Sequence, residues 1–314
     1  MSYGNSSQYV APCKVDPCQT CGRFQFNGDD TATAANREQF ARHLGEALST
    51  NDVPGGLHPP TRFPVSRVGG IPFASTDLTS ATAWLQSAAL RGEPVSVRLA
   101  NAYCVSLAEK DPNYRAVLTD PGVNFPDGTP IVWFMRRHEA YEDSARPQRV
   151  RGPSLFMASV NASQSSGTSN FFLGATANTL GRLTTRLGAE FPLAAIAGSY
   201  APPFAPFTEA LLDVCSERVI ASKADIVWIG LGTPKQDFVA QELARRTGRP
   251  CVGVGAAFDF AAGTVSEAPK WIQQSGFEWA FRFMSEPRRL WRRYLIGNAH
   301  FISTALAYGS GVTR

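Results

Sequence analysis

Neither a secretory signal nor a membrane-spanning run is evident in the sequence of 314 residues. It opens with the polar run MSYGNSSQYVAP, without a basic stretch leading into an apolar one, so no secretory signal is evident and we expect a cytoplasmic protein. No window approaches about 18 uninterrupted apolar residues, so we expect any membrane contact to be peripheral. The apolar fraction of 44% nevertheless indicates a folded core.

Motifs for metals and for several nucleotide sites are also missing. There is no Asp-x-Asp motif to hold a divalent metal against a diphosphate, so cationic side chains or backbone amides would have to bind one. The turn GLGTPKQD (230–237) lacks the GK[ST] ending of a Walker loop. The cluster GVGAAFDFAAG (253–263) has Phe258 where a dinucleotide fingerprint has its third glycine, which disfavours an oxidoreductase.

The six cysteines do not form a recognisable metal site. Three cysteines near the N-terminus, with the spacing CxxxxCxxC, are Cys13, Cys18 and Cys21. No fourth zinc ligand stands at a familiar spacing from them, so reduced thiols are favoured over a bound zinc ion. The other three fall inside apolar runs and are predicted to be small core residues: Cys104, Cys215 and Cys251.

Positive charge is concentrated at the C-terminal end. The net charge is +4, and from Lys270 onward seven basic residues face two acidic ones, so the rest of the chain carries −1. A localised basic surface indicates an anionic partner, which could be phospholipid, nucleic acid or a diphosphate.

Three regions are predicted: an accessory or flexible arm (1–64), an α/β core (65–276) and a basic amphipathic C-terminal appendage (277–314). Strand-like runs in the core alternate with helical patterns, which predicts a Rossmann-like, mostly parallel sheet with helices on both faces. The predicted strands are VSVRLAN (95–101), NFFLGA (170–175), LAAIAGS (193–199), ADIVWIGLG (224–232) and PCVGVGAAF (250–258).

Such sheets bind ligands beyond the carboxyl ends of their strands. That rule selects Asn101, Gly174, the run 198–200 and the turn from Gly230 to Gln236. The turn opens a helix, so its amides suit a phosphate, although an ordinary strand-to-helix turn would look the same. From it and the following glycine cluster we take as candidate substrate-binding residues Gly230, Gly232, Gln236 and Gly255.

Two further features could carry chemistry. Asp127 lies in VNFPDGTPIVW (123–133), where a carboxylate on a rigid turn before a helix could reach a substrate, but Pro-Asp-Gly is also an ordinary turn. Arg149 and Arg151, in QRVRGPSLF, precede a predicted helix and could bind phosphate or simply be solvated.

The C-terminal tail has arginines at helical i,i+4 spacing, interleaved with aromatic and aliphatic residues. This pattern favours an interfacial helix on anionic lipid over a helix packed on the core, and disfavours a nucleic-acid groove. The tail arginines are Arg282, Arg288, Arg289, Arg292 and Arg293.

Several motifs together resemble the WecG/TagA/CpsF family of bacterial glycosyltransferases. They extend from about Val95 to Phe301, in the family's order: LANAYCVSLAEKDPNYR, NFPDGTPIVW, RVRGPSLF, FFLGAT, GSYAPPF, WIGLGTPKQD, VGVGAAFDFAAG and EAPKWIQQSGFEWAFRFMSEPRRLWRRYL. The resemblance implies inverting, metal-independent transfer of a sugar from a UDP-type nucleotide donor to a polyprenyl-diphosphate-linked saccharide at the cytoplasmic membrane face, in surface or exopolysaccharide biosynthesis. It implies no cofactor and no nucleic-acid partner, and a homo-oligomer stays open.

The resemblance also implies roles for individual residues. Asp127 matches the proposed general base, Asn101 the pocket asparagine and Gln236 the glutamine of the PKQ turn. Arg149 matches the arginine that steadies the diphosphate, and the tail arginines match an appendage that approaches the membrane.

Three positions depart from the family's pattern. Leu99 stands where the teichoic-acid branch has Thr, Asp237 where Glu is usual, and Glu267 where many relatives have Arg. We therefore carry no family role onto Glu267. The alternative to an enzyme is a non-catalytic nucleotide-sugar-binding module of a polysaccharide assembly complex.

Overall fold

The computed structural model describes residues 63–137, 146–205, 208–269, 271–272, 281, 284, 297–307 and 312–313. The strands are β1 (Val65–Val68), β2 (Ile71–Ala74), β3 (Ser96–Ala100), β4 (Val123–Pro126), β5 (Ser169–Gly174), β6 (Ala195–Tyr200), β7 (Ile226–Gly230), β8 (Cys251–Gly253) and β9 (Val312–Thr313). The helices are α1 (Leu78–Leu90), α2 (Ala102–Lys110), α3 (Pro112–Thr119), α4 (Thr129–Arg137), α5 (Gly152–Ser166), α6 (Ala177–Glu190), α7 (Glu209–Ser222), α8 (Lys235–Thr247), α9 (Ala257–Ala262) and α10 (Gly297–Ala307).

Six strands form a sheet in the order β4-β3-β8-β7-β5-β6, and every neighbouring pair is parallel. Helices α1, α5, α6 and α9 pack together on one face, and α2, α3, α7 and α8 cover the other. The predicted Rossmann-like architecture is confirmed. Because both faces are covered, the central strands are apolar on both sides.

Consecutive residues of strand β7 pack on opposite faces of the sheet. Trp228 is fully buried against the aromatic rings of α5 and α9, and its indole N–H donates to Asn170 at 2.8 Å. Its neighbours Val227 and Ile229 pack on the opposite face with Leu243 of α8. Alternation of side chains along the strand therefore supplies both cores from consecutive residues.

The sequence misjudged three local structures. Residues 123–126, predicted as loop, form β4, which pairs only with β3; Pro126 is tolerated there because an edge strand needs few backbone donors. The strand predicted over 250–258 ends at Gly253, since Gly255 turns the chain at φ 58° and α9 follows. The strand predicted over 193–199 begins two residues later and extends to Tyr200 as β6.

A second, three-stranded antiparallel sheet has the order β2-β1-β9 and was not predicted. Helix α10 packs against α2 beside it, and the rings of Phe301 and Phe134 meet edge to face at 5.3 Å. Elements from the segment predicted as an appendage thus contact the start of the core.

Cys104, Cys215 and Cys251 are buried in the core, as predicted, and form no disulfide among the described residues. Burial raises the pKa of the Cys215 thiol to about 11. The N-terminal cysteines and the five tail arginines lie outside the described residues. Within the described ranges, every helix is too short or too polar to cross a bilayer.

Candidate functional site

The sheet brings most of the candidate residues to one edge. Strands β4, β3, β8 and β7 are consecutive neighbours, so the loops at their carboxyl ends lie side by side. Asp127 follows β4, Asn101 follows β3, Gly255 follows β8 and Gln236 follows β7. Residues far apart in sequence therefore line the edge where parallel sheets bind ligands.

A change of direction opens this edge between β3 and β8. The chain leaves β3 into α2 on one face of the sheet, whereas it leaves β8 into α9 on the other. Adjacent strands whose connections diverge leave a crevice between their loops. The crevice is flanked by Asn101 on one side and Gly255 on the other.

Backbone hydrogen bonds hold the Asp127 turn in place. The Asp127 N–H donates to Ala100 O at 2.9 Å, which extends the pairing of β4 with β3 past the strand end. The carbonyl of Pro126 accepts from Val150 N at 3.0 Å, which fastens the arginine-containing segment 149–151 to the same turn. The half-buried Asp127 thus projects from a turn anchored on both sides.

Asn101 lies close to this turn. A side-chain carbon added at Gly128 would lie 3.5 Å from the Asn101 Cβ, so there is room for little more than one carbon atom between the turn and the asparagine. The Asn101 Oδ1 caps α2 by accepting from Tyr103 N at 3.0 Å, with the Cys104 thiol at 3.7 Å. The amide oxygen is therefore used by the cap, and its orientation is fixed.

Gln236 joins the loops after β7 and β8. Its Oε1 accepts from Gly255 N at 2.8 Å and from Gly232 N at 3.2 Å, and the residue is 3% exposed. We call these three residues the glycine clasp. The backbone amides of two candidate substrate-binding glycines thus donate to Gln236, and the pairing of Gln236 with Gly255 spans 19 residues that no local sequence pattern connects.

Gly230 has a packing reason for being glycine. A Cβ at this position would lie 2.6 Å from the ring of Phe258, and a Cβ at Gly174 would lie 2.6 Å from Gly230 O. The strands β5 and β7 end so close together that Ala175 N donates to Gly230 O at 3.0 Å. Lys235 is the first residue of α8, and its side-chain ammonium group donates to Ala205 O at 2.7 Å.

Beneath the clasp lies a buried polar cluster that the sequence did not predict. Asp237 is 3% exposed, and its Oδ2 accepts from the Tyr114 hydroxyl at 2.7 Å. Burial raises the pKa of Asp237 to about 6 against the opposing effects of Tyr114, Arg98 and Gln236. Burial also raises the pKa of Tyr114 far above its ordinary value, so the phenol stays protonated.

Arg98 lies within the sheet at 1% exposure. It donates to Asn124 Oδ1 at 3.2 Å and to Pro121 O at 3.1 Å, and burial lowers its pKa to about 10. The guanidinium therefore remains charged at neutral pH.

The two arginines of the segment 149–151 differ in environment. Arg149 is half-buried next to Val150, which bonds the Asp127 turn. Arg151, at the N-terminal end of α5, is 7% exposed and donates to Glu267 Oε1 at 2.6 Å and to Ser154 Oγ at 3.2 Å. Arg151 is thus held by protein groups, and Glu267, to which the sequence gave no role, is its carboxylate partner.

A groove of about 880 Å³ lies elsewhere, between α7, α8 and the turn before β4. Pro94 and Ser96, at the amino end of β3, line it together with Glu209 and Arg245. It is open at the edge of the sheet opposite to the crevice, so we do not assign the site to it. In the described part of the chain, no group of three or more His, Cys, Asp or Glu side chains could hold a metal ion.

Comparison with known proteins agrees with this architecture. The model of the family described as "Glycosyl transferase WecG/TagA/CpsF family" matches residues 66–313. A relative from Bacillus spizizenii, named N-acetylglucosaminyldiphosphoundecaprenol N-acetyl-beta-D-mannosaminyltransferase, is 26% identical over 230 residues, which are 73% of this chain and 86% of the relative. The family match begins upstream of the motifs that carry the sequence resemblance and includes the small sheet.

Proposed function

The chain belongs to the WecG/TagA/CpsF family of glycosyltransferases, and from this premise we propose that it transfers an N-acetylhexosaminyl or hexosyl group from a UDP-type donor to a polyprenyl-diphosphate-linked saccharide. The relative's name describes an N-acetylmannosaminyl transfer to N-acetylglucosaminyl-diphosphoundecaprenol, a lipid-linked acceptor of this class. The product is an intermediate in surface or exopolysaccharide biosynthesis.

The observation that carries the proposal is the close approach of the Asp127 turn to Asn101 at the carboxyl edge of the sheet. A catalytic base must be held firmly and must reach the substrate, and a turn hydrogen-bonded to β3 and to the segment 149–151 meets the first condition. Its position at the carboxyl edge of the sheet supports the second.

The proposed mechanism is a single displacement with inversion. The Asp127 carboxylate takes the proton of an acceptor hydroxyl while that oxygen forms a bond to the anomeric carbon of the donor sugar. The bond from the anomeric carbon to the nucleotide diphosphate breaks, and the diphosphate leaves with the electron pair. Asn101 contacts the sugar or acceptor beside the base.

The leaving diphosphate needs positive charge. We propose Arg149 for this role; the neighbouring Val150 supports it, because its N–H donates to Pro126 O of the Asp127 turn at 3.0 Å. The clasp residues Gly232, Gln236 and Gly255 shape the wall of the donor pocket. Metal independence and absence of a cofactor are part of the proposal and rest on the family resemblance.

Acceptor delivery is proposed to occur at a membrane surface. A lipid-linked acceptor stays in the bilayer, so the enzyme must approach it, and the five tail arginines offer positive charge for anionic headgroups or for the acceptor diphosphate. We therefore propose that the protein is peripheral on the inner face of the cell membrane.

A panel of nucleotide sugars tests the proposal. The chain is incubated with each donor and a short-chain polyprenyl-diphosphate N-acetylglucosamine, with and without EDTA, and products are identified by mass spectrometry. We expect one UDP-sugar to give a disaccharide product of inverted anomeric configuration, unaffected by EDTA. Nucleotide binding without any product would favour the non-catalytic binding module instead.

A further inference from the structure

Asp237 lies next to Gln236 of the glycine clasp. Its Oδ2 accepts from the Tyr114 hydroxyl of α3 at 2.7 Å, and the neighbouring Gln236 side chain helps to lower the pKa of the carboxyl. Tyr114 is fully buried and Asp237 is 3% exposed.

The absence of a side chain at Gly253 makes room for this arrangement. A Cβ there would lie 3.0 Å from Asp237 Oδ1, 3.1 Å from Gln236 Cγ and 3.2 Å from Gln236 Nε2. The two side chains therefore pack directly on the backbone of β8. The Gln236 nitrogen and the Asp237 oxygen lie on the same side of that strand.

Hydrogen-bonding chemistry determines which end of the Gln236 amide faces Asp237 and which end faces the two glycine N–H groups. An ionised carboxylate only accepts hydrogen bonds, so it selects the Nε2 end of the amide. The Oε1 end then faces Gly255 N at 2.8 Å and Gly232 N at 3.2 Å. With the amide reversed, Nε2 would face two N–H donors and leave them unsatisfied.

We propose that Asp237 is a positioning residue for donor binding, which orients the Gln236 amide so that its oxygen holds the loops after β7 and β8 in register. This inference rests on the proposed function, because it assigns those loops to the nucleotide donor. Tyr114 is the second positioning residue: by donating to Oδ2 it holds the carboxylate toward Gln236. Sequence comparison alone marks Asp237 only as a departure from the usual Glu.

Three groups face the Asp237 carboxylate from the packed elements: Tyr114 from α3, Gln236 from α8 and the charged Arg98 from β3. Asp120, beyond Arg98, accepts from the guanidinium only through its carbonyl oxygen, at 3.5 Å. The pKa of about 6 given to Asp237 by burial means that mild acid protonates it. A protonated carboxyl can donate as well as accept, so it no longer selects the Nε2 end of the amide alone, and we expect the clasp to loosen below about pH 6.

The clasp can be observed without any substrate. Chains labelled with ¹⁵N-glycine are compared by two-dimensional NMR and amide hydrogen exchange for wild type, Asp237→Asn, Asp237→Glu and Tyr114→Phe. We expect Asp237→Asn to shift the Gly232 and Gly255 resonances and to speed their exchange at least tenfold, with Tyr114→Phe intermediate. Gly181 and Gly188, which have open surroundings on α6, are internal controls and should not change.

Donor binding is then measured with UDP by calorimetry and by the KM of the nucleotide sugar. We expect Asp237→Asn to raise the donor KM about tenfold while the acceptor KM stays within about twofold, and Asp237→Glu to restore most of the donor affinity. In wild type the donor KM should rise as the pH falls through about 6, and Asp237→Asn should abolish that dependence.

The outcomes separate this inference from the proposed function. A wild-type chain that transfers no sugar overturns the proposed function, and the NMR result is unaffected by it. If wild type is active but Asp237→Asn binds UDP as tightly as wild type, Asp237 is not a positioning residue. Unchanged Gly232 and Gly255 resonances in Asp237→Asn overturn the clasp mechanism itself, provided circular dichroism shows a folded variant.

Discussion

The guanidinium of Arg151 lies 2.6 Å from the carboxylate of Glu267, so the start of α5 is tied to the segment that follows α9. Arg151 has a side-chain exposure of 9%, and removing its partner would leave a nearly buried charge. The pair explains how an acidic residue is accommodated at position 267, where many relatives of the family have Arg. The contact also fastens the chain just before the predicted appendage.

Reversing the charge at one end of this pair should destabilise the protein. We expect Glu267→Arg to lower the free energy of unfolding by about 2 kcal/mol, less than for a fully buried pair because Glu267 is 36% exposed. The double variant Arg151→Glu with Glu267→Arg should recover at least half of the loss. Urea unfolding measures both.

The control for that experiment is an ion pair on the surface. Arg91 and Glu93 are 2.7 Å apart with side-chain exposures of 41% and 43%, so Glu93→Arg should cost under about 1 kcal/mol. Equal losses for the two substitutions, or no recovery in the double variant, would show that the Arg151 pair has no special role.

The buried Asp237 should make stability depend on pH. Its pKa is about 6 in the folded chain and 3.8 ordinarily, so the folded state holds the proton more tightly than the unfolded state. The resulting stabilisation is fully present below about pH 4 and is lost as the pH rises through about 6; it amounts to about 3 kcal/mol.

The measurement compares wild type with Asp237→Asn across this range by urea unfolding. Since Asn does not titrate, the difference in free energy of unfolding should change by about 3 kcal/mol between pH 4 and pH 7, with wild type losing relative stability as the pH rises. A constant difference over that range would contradict the buried carboxylate as described.

Gly230 tests whether a candidate substrate residue is needed for packing. A Cβ there would lie 2.6 Å from the Phe258 ring, so Gly230→Ala should lower the free energy of unfolding by about 1 to 3 kcal/mol. In a Phe258→Leu background the added penalty should shrink, because the clashing ring is gone. Loss of donor binding with unchanged stability would instead indicate direct contact with substrate.

The basic tail can be tested without deleting structured residues. Phe301 is 2% exposed and packs on Phe134, so truncation before Ser285 would also remove part of the core. We therefore predict that full-length chain with Arg288, Arg289, Arg292 and Arg293 changed to Gln is released from vesicles containing anionic lipid, which retain wild type. Co-sedimentation at equal lipid concentration measures this.

Neutral phosphatidylcholine vesicles are the control and should retain neither chain strongly. Equal retention of both chains on anionic vesicles would remove the tail arginines as the membrane contact. Thermal unfolding of the substituted chain confirms that the comparison is between folded proteins.

The hydrophobic periodicity of the sequence predicted the alternating strands and helices of the core. Apolar runs followed by helical patterns gave β3, β5 and β7 with their helices and hence the edge that holds Asp127 and Asn101. Strand β4 was not predicted because Asn124 and Pro126 are poor strand formers; its pairing with β3 and the burial of Phe125 stabilise it. Propensity could not reveal that partner.

Side-chain pairings across the fold could not be predicted at all. Gln236 meets Gly255 across 19 residues, Arg151 meets Glu267 across 116, and Tyr114 meets Asp237 across 123. These contacts depend on the order of the strands in the sheet and on burial, and a local sequence pattern predicts neither of them. The role of Gln236 in substrate binding stays a prediction, and the fold adds that its side-chain oxygen accepts from two backbone amides.

The most direct test of the account is the transfer rate of Asp127→Asn. The control is Asp77→Asn: Asp77 caps α1 by accepting from Ser80 N at 2.8 Å, and Asn caps equally well. With saturating donor and lipid-linked acceptor, we predict that Asp127→Asn binds UDP like wild type but transfers sugar at least about 100-fold more slowly, whereas Asp77→Asn keeps wild-type activity. An Asp127→Asn enzyme with a rate within a few-fold of wild type would contradict Asp127 as the base.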